Sequence, residues 1–209
     1  MKSLLTDQIV AKDVSVRTLL GLGPRDEDLG DLRQLQLAPL RGKGPLRLWA
    51  GAAMAFVAAF TMAPSMPWPI VCGWLACALA FCLWSFNLFV KLPLGDPKLS
   101  GITEYRLCNR HALYAAALWS VPFWLRGTAP PLDHVLSLWM IVLLMMLTLA
   151  IIAHSMPRAC LQFIVPVSVS AAGAMVAAGS PPMAAVASLA ALMLSAFCIR
   201  FGQQHVRFR

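Results

Sequence analysis

Charge is missing where a soluble chain would need it. From Leu48 to Val90 there is no Asp, Glu, Lys or Arg, and from Val135 to Ala153 there is again none. Across 209 residues only 12% are charged and 59% are apolar, about half the charged fraction of an ordinary soluble domain. A soluble globular fold is excluded, because so much apolar surface would lack a polar coat. Wound as helices, such runs are long enough to cross a hydrocarbon core of about 30 Å.

Catalytic signatures are equally scarce. There is no phosphate-binding Gly-rich loop, no His-x-x-x-His pair and no Gly-x-Ser-x-Gly elbow, and Gly21-Leu-Gly-Pro-Arg lacks the rest of any nucleotide fingerprint. Cys72, Cys77 and Cys82 recur every five residues, a spacing that walks around a helix and gathers no common face for a metal. His134 and His154 stand 20 residues apart, about 30 Å along a helix, so one haem cannot be held by both. The expectation is a protein that is not an enzyme, with no cofactor, no metal site, no disulfide and no catalytic residue. The apolar runs also lack the ionisable groups that mark proton paths and ion sites. With no paired carboxylates and no inverted repeat, a small transporter is the weakest reading. The start, Met-Lys-Ser-Leu-Leu-Thr-Asp, has no short apolar stretch with a cleavage site, so no signal peptide is expected.

What is present is a strongly patterned set of apolar segments. Residues 1–45 form a lead-in containing an amphipathic helix. Asp26, Glu27 and Asp28 suit its N-terminus, and Leu29, Leu32, Leu37 and Leu40 share one broad face. That face points to the membrane surface or to a cytoplasmic partner domain. Residues 46–200 then read as a bundle of six transmembrane helices, at about 46–63, 68–90, 107–125, 132–153, 159–178 and 183–199, and 201–209 as a tail. Pro64-Ser-Met-Pro-Trp-Pro and Gly179-Ser-Pro-Pro mark tight turns. The fold class is all-α, polytopic, three helical hairpins in tandem.

The formal net charge of +8 belongs to loops rather than to a nucleic-acid site, because no binding fold accompanies it. With the N-terminus in the cytoplasm and all six segments crossing, sixteen of the seventeen Lys and Arg residues are cytoplasmic and only Arg126 lies outside. This is the asymmetry of a multi-pass protein of the bacterial inner membrane with both termini cytoplasmic. Asp133, His134 and Arg126 fall together in the external loops as solvated groups.

Among polar residues inside spans, Asn87 and Gln162 are the costliest to leave in lipid and are expected to face other helices. Gly173, Ala177, Ala184 and Ser188 offer small-residue surface for close helix packing. The expected partners are the lipid bilayer and a membrane protein or a second copy of the chain, with no nucleic acid.

Three stretches carry a resemblance. Asp-Leu-Arg-Gln-Leu-Gln-Leu-Ala-Pro-Leu-Arg at 31–41 precedes two helices and a basic loop, Arg110-His-Ala-Leu-Tyr-Ala-Ala-Ala-Leu-Trp-Ser-Val-Pro follows, and Met156-Pro-Arg-Ala forms a short loop. The layout resembles the six-helix N-terminal membrane region of proteobacterial sensory diguanylate cyclases and related signalling proteins. In that family the sixth helix continues into a catalytic domain bearing Gly-Gly-Asp-Glu-Phe. No such signature stands here, so no cyclase residue is carried over, and the chain reads as a stand-alone derivative or a piece of a longer protein. The leading functional expectation is a non-enzymatic module acting through helix-helix contacts, as an accessory subunit of a larger membrane complex. The alternative is a sensory module that binds an apolar or weakly polar ligand and relays a shift through its sixth helix.

The topology has a direct test. A periplasm-active reporter fused after Gly127 is expected to be active, and the same reporter fused after Pro97 or at the C-terminus inactive. The reverse pattern would overturn the orientation.

Overall fold

The computed structural model describes residues 16–20, 30–37, 44–91, 97–125, 127, 130–153 and 155–207. The chain forms α1 (Val16–Leu19), α2 (Gly30–Leu37), α3 (Gly44–Met62), α4 (Trp68–Lys91), α5 (Pro97–Ser120), a 3₁₀ turn at Val121–Phe123, α6 (Leu132–Ile152), α7 (Pro157–Ala177) and α8 (Pro181–Arg207). Among the described residues there is no strand. Each of the six long helices opens on a proline: Pro45, Pro69, Pro97, Pro157 and Pro181 sit in the first turn and Pro131 caps α6. At those positions the missing N–H costs nothing and the fixed φ favours the first turn.

Four helices are long and apolar enough to cross a membrane, over Trp68–Asn87, Leu132–Ile152, Pro157–Ala177 and Pro181–Gln204. The other two long helices fall short of that standard. The apolar part of α3 covers only Leu48–Met62, and the first half of α5 carries Lys98, Glu104, Arg106 and Arg110. The expected six-span bundle is therefore a six-helix bundle with four spanning-grade members.

Helix α5 also begins ten residues before the segment read at 107–125. Pro97 and Gly101, residue types that commonly mark turns, lie in its first turns instead. The polar half of this helix is buried by the chain itself: Glu104, Asn109 and His111 are all largely hidden. Helix α2 packs there, against α5 and α8. Its Arg33 is fully buried, with the guanidinium 4.0 Å from the centre of the Tyr105 ring. Arg33 Nη1 donates to Gln36 Oε1 at 2.7 Å and to the Leu19 carbonyl at 3.3 Å, and Nη2 to the Thr18 carbonyl at 3.1 Å. Tyr105 Oη donates to the same Leu19 carbonyl at 3.4 Å. The face of α2 that carries Arg33, Gln36 and Leu37 thus has an intramolecular occupant. Leu29 and Leu40, which the amphipathic reading also used, lie outside the described residues.

The centre of the bundle is α7, half of whose span is buried. It packs against α5, α6 and α8, while α3 pairs with α4 and α6. Phe163, Ile164, Val167, Ala171 and Ala174 form its hidden stripe. Ala184, Ala187 and Ala191 answer from α8, and small residues on both sides let the backbones approach closely. The turn between them is a Schellman motif. Ser180 N–H donates to Met175 O and Gly179 N–H to Val176 O, both at 2.9 Å, with Gly179 at φ +80°. Inside α7, Pro166 cannot donate to the Gln162 carbonyl one turn earlier.

Replacing Arg33 with Met keeps the aliphatic stem and removes its hydrogen bonds to the Leu19 and Thr18 carbonyls and to Gln36. The expected cost to α2 docking is about 1–3 kcal/mol, read as faster limited proteolysis between residues 20 and 44 with the bundle's helical content unchanged. Equal protease resistance in the variant would contradict this account of how α2 is held.

Candidate functional site

A cavity of about 220 Å³ lies between α3, α4, α5, α6 and α7. Its lining comes from the first part of α3, the second halves of α4, α5 and α6 and the start of α7. Most of these residues lie towards the end of the bundle where Lys91 and Arg158 stand, and Trp119 extends the lining along α5. The walls are mainly apolar, with Met54, Met145 and Met156 facing Phe81, Trp119 and Phe163. No Asp, Glu, Lys or Arg contributes to them. The few polar groups are the hydroxyls of Ser85 and Thr148, the thiols of Cys82 and Cys108, and the imidazole of His111. Thr148 Oγ1 already donates to the Leu144 carbonyl at 2.8 Å.

His111 sits at the seam of α4 and α5. Its ring stacks on Trp84 at 5.3 Å between centroids and 15° between planes, and meets the Phe81 ring edge-on at 4.3 Å. Trp84 also leans on Tyr114 at 6.3 Å. At the opposite end of the seam Trp74 meets Trp119 edge-to-face at 5.4 Å, and Trp74 Nε1 donates to the Leu118 carbonyl at 3.1 Å. Apart from these rings, α4 and α5 touch sparingly. Aromatic side chains, not helix-on-helix packing, hold this side of the cavity. Gly51 lets α3 close against α4, since a Cβ there would stand 3.0 Å from Cys82 Sγ.

Among the described residues no group of three or more His, Cys, Asp or Glu is placed to hold a metal ion. The lining is mainly apolar, with two hydroxyls, two thiols and one imidazole.

The residues singled out from the sequence fall elsewhere. Asn87 is exposed, and Gln162 is half-buried with its Oε1 shielded and without a hydrogen-bond partner among the described residues. Neither lines the cavity. Of the small residues, Ala184 is buried between α7 and α8, and Gly173 is half-buried with the Trp124 indole 3.3 Å from where its Cβ would be. Ala177 and Ser188 face outward. His134 is buried, with Nδ1 3.1 Å from Ser65 Oγ, so it ties the α3–α4 turn to the start of α6. Asp133 is exposed, while Arg126 and His154 lie outside the described residues.

Sequence reasoning missed a second feature. On α4, Gly73, Ala76, Cys77 and Ala80 are all exposed and form one stripe of small residues, which gives way to exposed Leu83 and Trp84 before Asn87. A Cβ on Gly73 would meet nothing within 4 Å. The signal was the three-and-four spacing of small residues, obscured because the five-residue interval of the cysteines drew attention first.

Two glycines on neighbouring helices should therefore respond oppositely. Gly51→Leu overfills the α3–α4 contact and is expected to destabilise the bundle by about 1–3 kcal/mol, whereas Gly73→Leu is expected to leave the thermal midpoint of the purified chain unchanged. Equal effects would refute the assignment of one glycine to an inner contact and the other to an open face. Comparison with known protein families, known proteins and solved structures finds no match for this chain.

Proposed function

We propose that this chain is a non-enzymatic accessory subunit of a larger membrane assembly, and that the outward face of α4 is where it meets a transmembrane helix of another subunit. The observation that carries the reading is the composition of that face. Lipid-exposed surfaces elsewhere on the bundle present bulky groups such as Phe60, Met140, Val169, Leu192 and Met193. Along α4 the exposed stripe is Gly73, Ala76, Cys77 and Ala80, followed by Leu83 and Trp84 before the amide of Asn87. Small residues admit a second backbone at close range, and a side-chain amide at its end offers a hydrogen bond across helices. Asn87 is exposed among the described residues, and a helix from another subunit would cover it.

In this reading all six long helices cross the bacterial inner membrane and both termini are cytoplasmic. The loop charges favour that orientation. The 19 residues of α3 extend about 28 Å, close to the hydrocarbon thickness. The polar start of α5 would lie at the cytoplasmic surface under α2. A sensory module relaying through α8 has less support, because no α8 residue lines the cavity.

A photoactivatable maleimide on a variant retaining only Cys77 tests the proposal in native membranes. Illumination is expected to give one adduct of discrete mass, lost in the Gly73→Leu, Ala76→Leu double variant while the chain stays folded. An adduct at twice the 22.7 kDa chain mass would replace the foreign subunit with a second copy. Labelling of lipid alone would overturn the reading.

A further inference from the structure

We propose that the cavity between α3, α4, α5, α6 and α7 is a binding site for a small, uncharged aromatic molecule of one or two fused rings that carries a hydrogen-bonding oxygen. This site is independent of the α4 docking face, since it lies on the inner side of the same helix.

Size comes first. A dry cavity of about 150 Å³ is enough to take up benzene, so the 220 Å³ here has room for a ring with a substituent or a second fused ring. Charge comes next. No carboxylate, ammonium or guanidinium lines the walls, and the His111 imidazole is the one side chain there able to meet an anion. A cation finds no counter-charge and an anion at most one ring N–H, so an uncharged ligand avoids the larger desolvation cost.

The polar groups then separate a ring oxygen from a bare hydrocarbon chain. Ser85 on α4 and Thr148 on α6 place hydroxyls in a wall otherwise built of Met, Ala and aromatic residues. Ser85 can donate, and Thr148, whose proton goes to Leu144 O, still accepts. A lipid acyl chain would leave both hydroxyls facing methylenes. A phenol or a ring carbonyl satisfies one of them, and Phe81, Trp119 and Phe163 supply ring faces and edges for the rest of the molecule. An apolar wall with a few placed polar groups is the ordinary make-up of a small-molecule site.

Entry has a structural basis too. The α4–α5 seam is closed near the cavity by side chains, with His111 against Phe81 and Trp84, and Trp84 and Tyr114 exposed on its outer side. Side-chain rotation there opens a path from the bilayer without separating two packed helices, so a membrane-dissolved molecule reaches the cavity sideways.

The test uses the full chain in nanodiscs, titrated with 1-naphthol, naphthalene, 1-naphthoate and decanol as probes, with empty nanodiscs subtracted. Saturable binding of 1-naphthol at one per chain is expected. 1-Naphthoate should bind on the order of ten-fold more weakly or worse, and decanol should not compete. Ala115→Phe, which fills the cavity, should abolish binding. Should that variant fail to fold, Ser85→Ala provides the second reading, with the preference for 1-naphthol over naphthalene reduced about five-fold. Non-saturable uptake, equal binding of 1-naphthoate, competition by decanol or full binding in folded Ala115→Phe would each overturn the proposal.

Discussion

Inside hydrocarbon a helix gains little by turning its apolar side chains from lipid to another helix, so helices associate only where their surfaces fit closely. In this chain that fit is concentrated on α7. Phe163, Ile164, Val167, Ala171 and Ala174 form its buried stripe, Ala184, Ala187 and Ala191 are buried on α8, and α5, α6 and α8 all pack against α7. The pair α3 and α4 reaches this centre through α6. The remaining architecture follows from that placement, because a ring of helices anchored on one central member leaves one side to close without tight packing. That side is the α4–α5 seam.

The seam accounts for both features that bear on function. Because α4 is held chiefly by α3, its opposite faces have different surroundings. Inward it presents Phe81, Cys82 and Ser85 to the cavity, and outward it presents Gly73, Ala76, Cys77 and Ala80 to whatever lies beyond the bundle. A helix gripped weakly by its own bundle is free to pair with another chain. The same loose grip leaves a space behind it that aromatic rings, not backbones, must close.

The polar half of α5 shows a third consequence. Glu104, Tyr105, Asn109 and His111 could not be left against lipid without cost. They are covered instead by the Arg33 helix from below and by Phe81 and Trp84 from the side. Arg33 itself is tolerated at full burial because backbone carbonyls, the Gln36 amide oxygen and a π face replace water around its guanidinium.

Much of the fold could be read directly from the residues. Uncharged runs located α4, α6 and α7 to within a few residues, and Gly179-Ser-Pro-Pro located the tight α7–α8 turn, because length, hydropathy and proline placement are local properties. Helix α8 continues to Arg207, eight residues past the expected end at 199 and into the stretch read as a tail. The start of α5 was not legible: Pro97 and Gly101 are turn residues by habit, and only the docking of α2 makes a helix there worthwhile. The site was less legible still. Asn87 and Gln162 could be flagged as polar, yet which direction each faced depended on neighbours hundreds of bonds away along the chain. The cavity brings together residues from five helices, Gly51, Ser85, His111, Thr148 and Phe163 among them, none distinctive in its own segment. Sequence by itself determined that several stretches are long and apolar enough to cross a membrane and which stretches wind into helices, since the solvent acts on each segment separately. Tertiary structure decided which faces are covered, which are bare and where a space is left, since packing is a property of pairs of surfaces that the linear order does not contain.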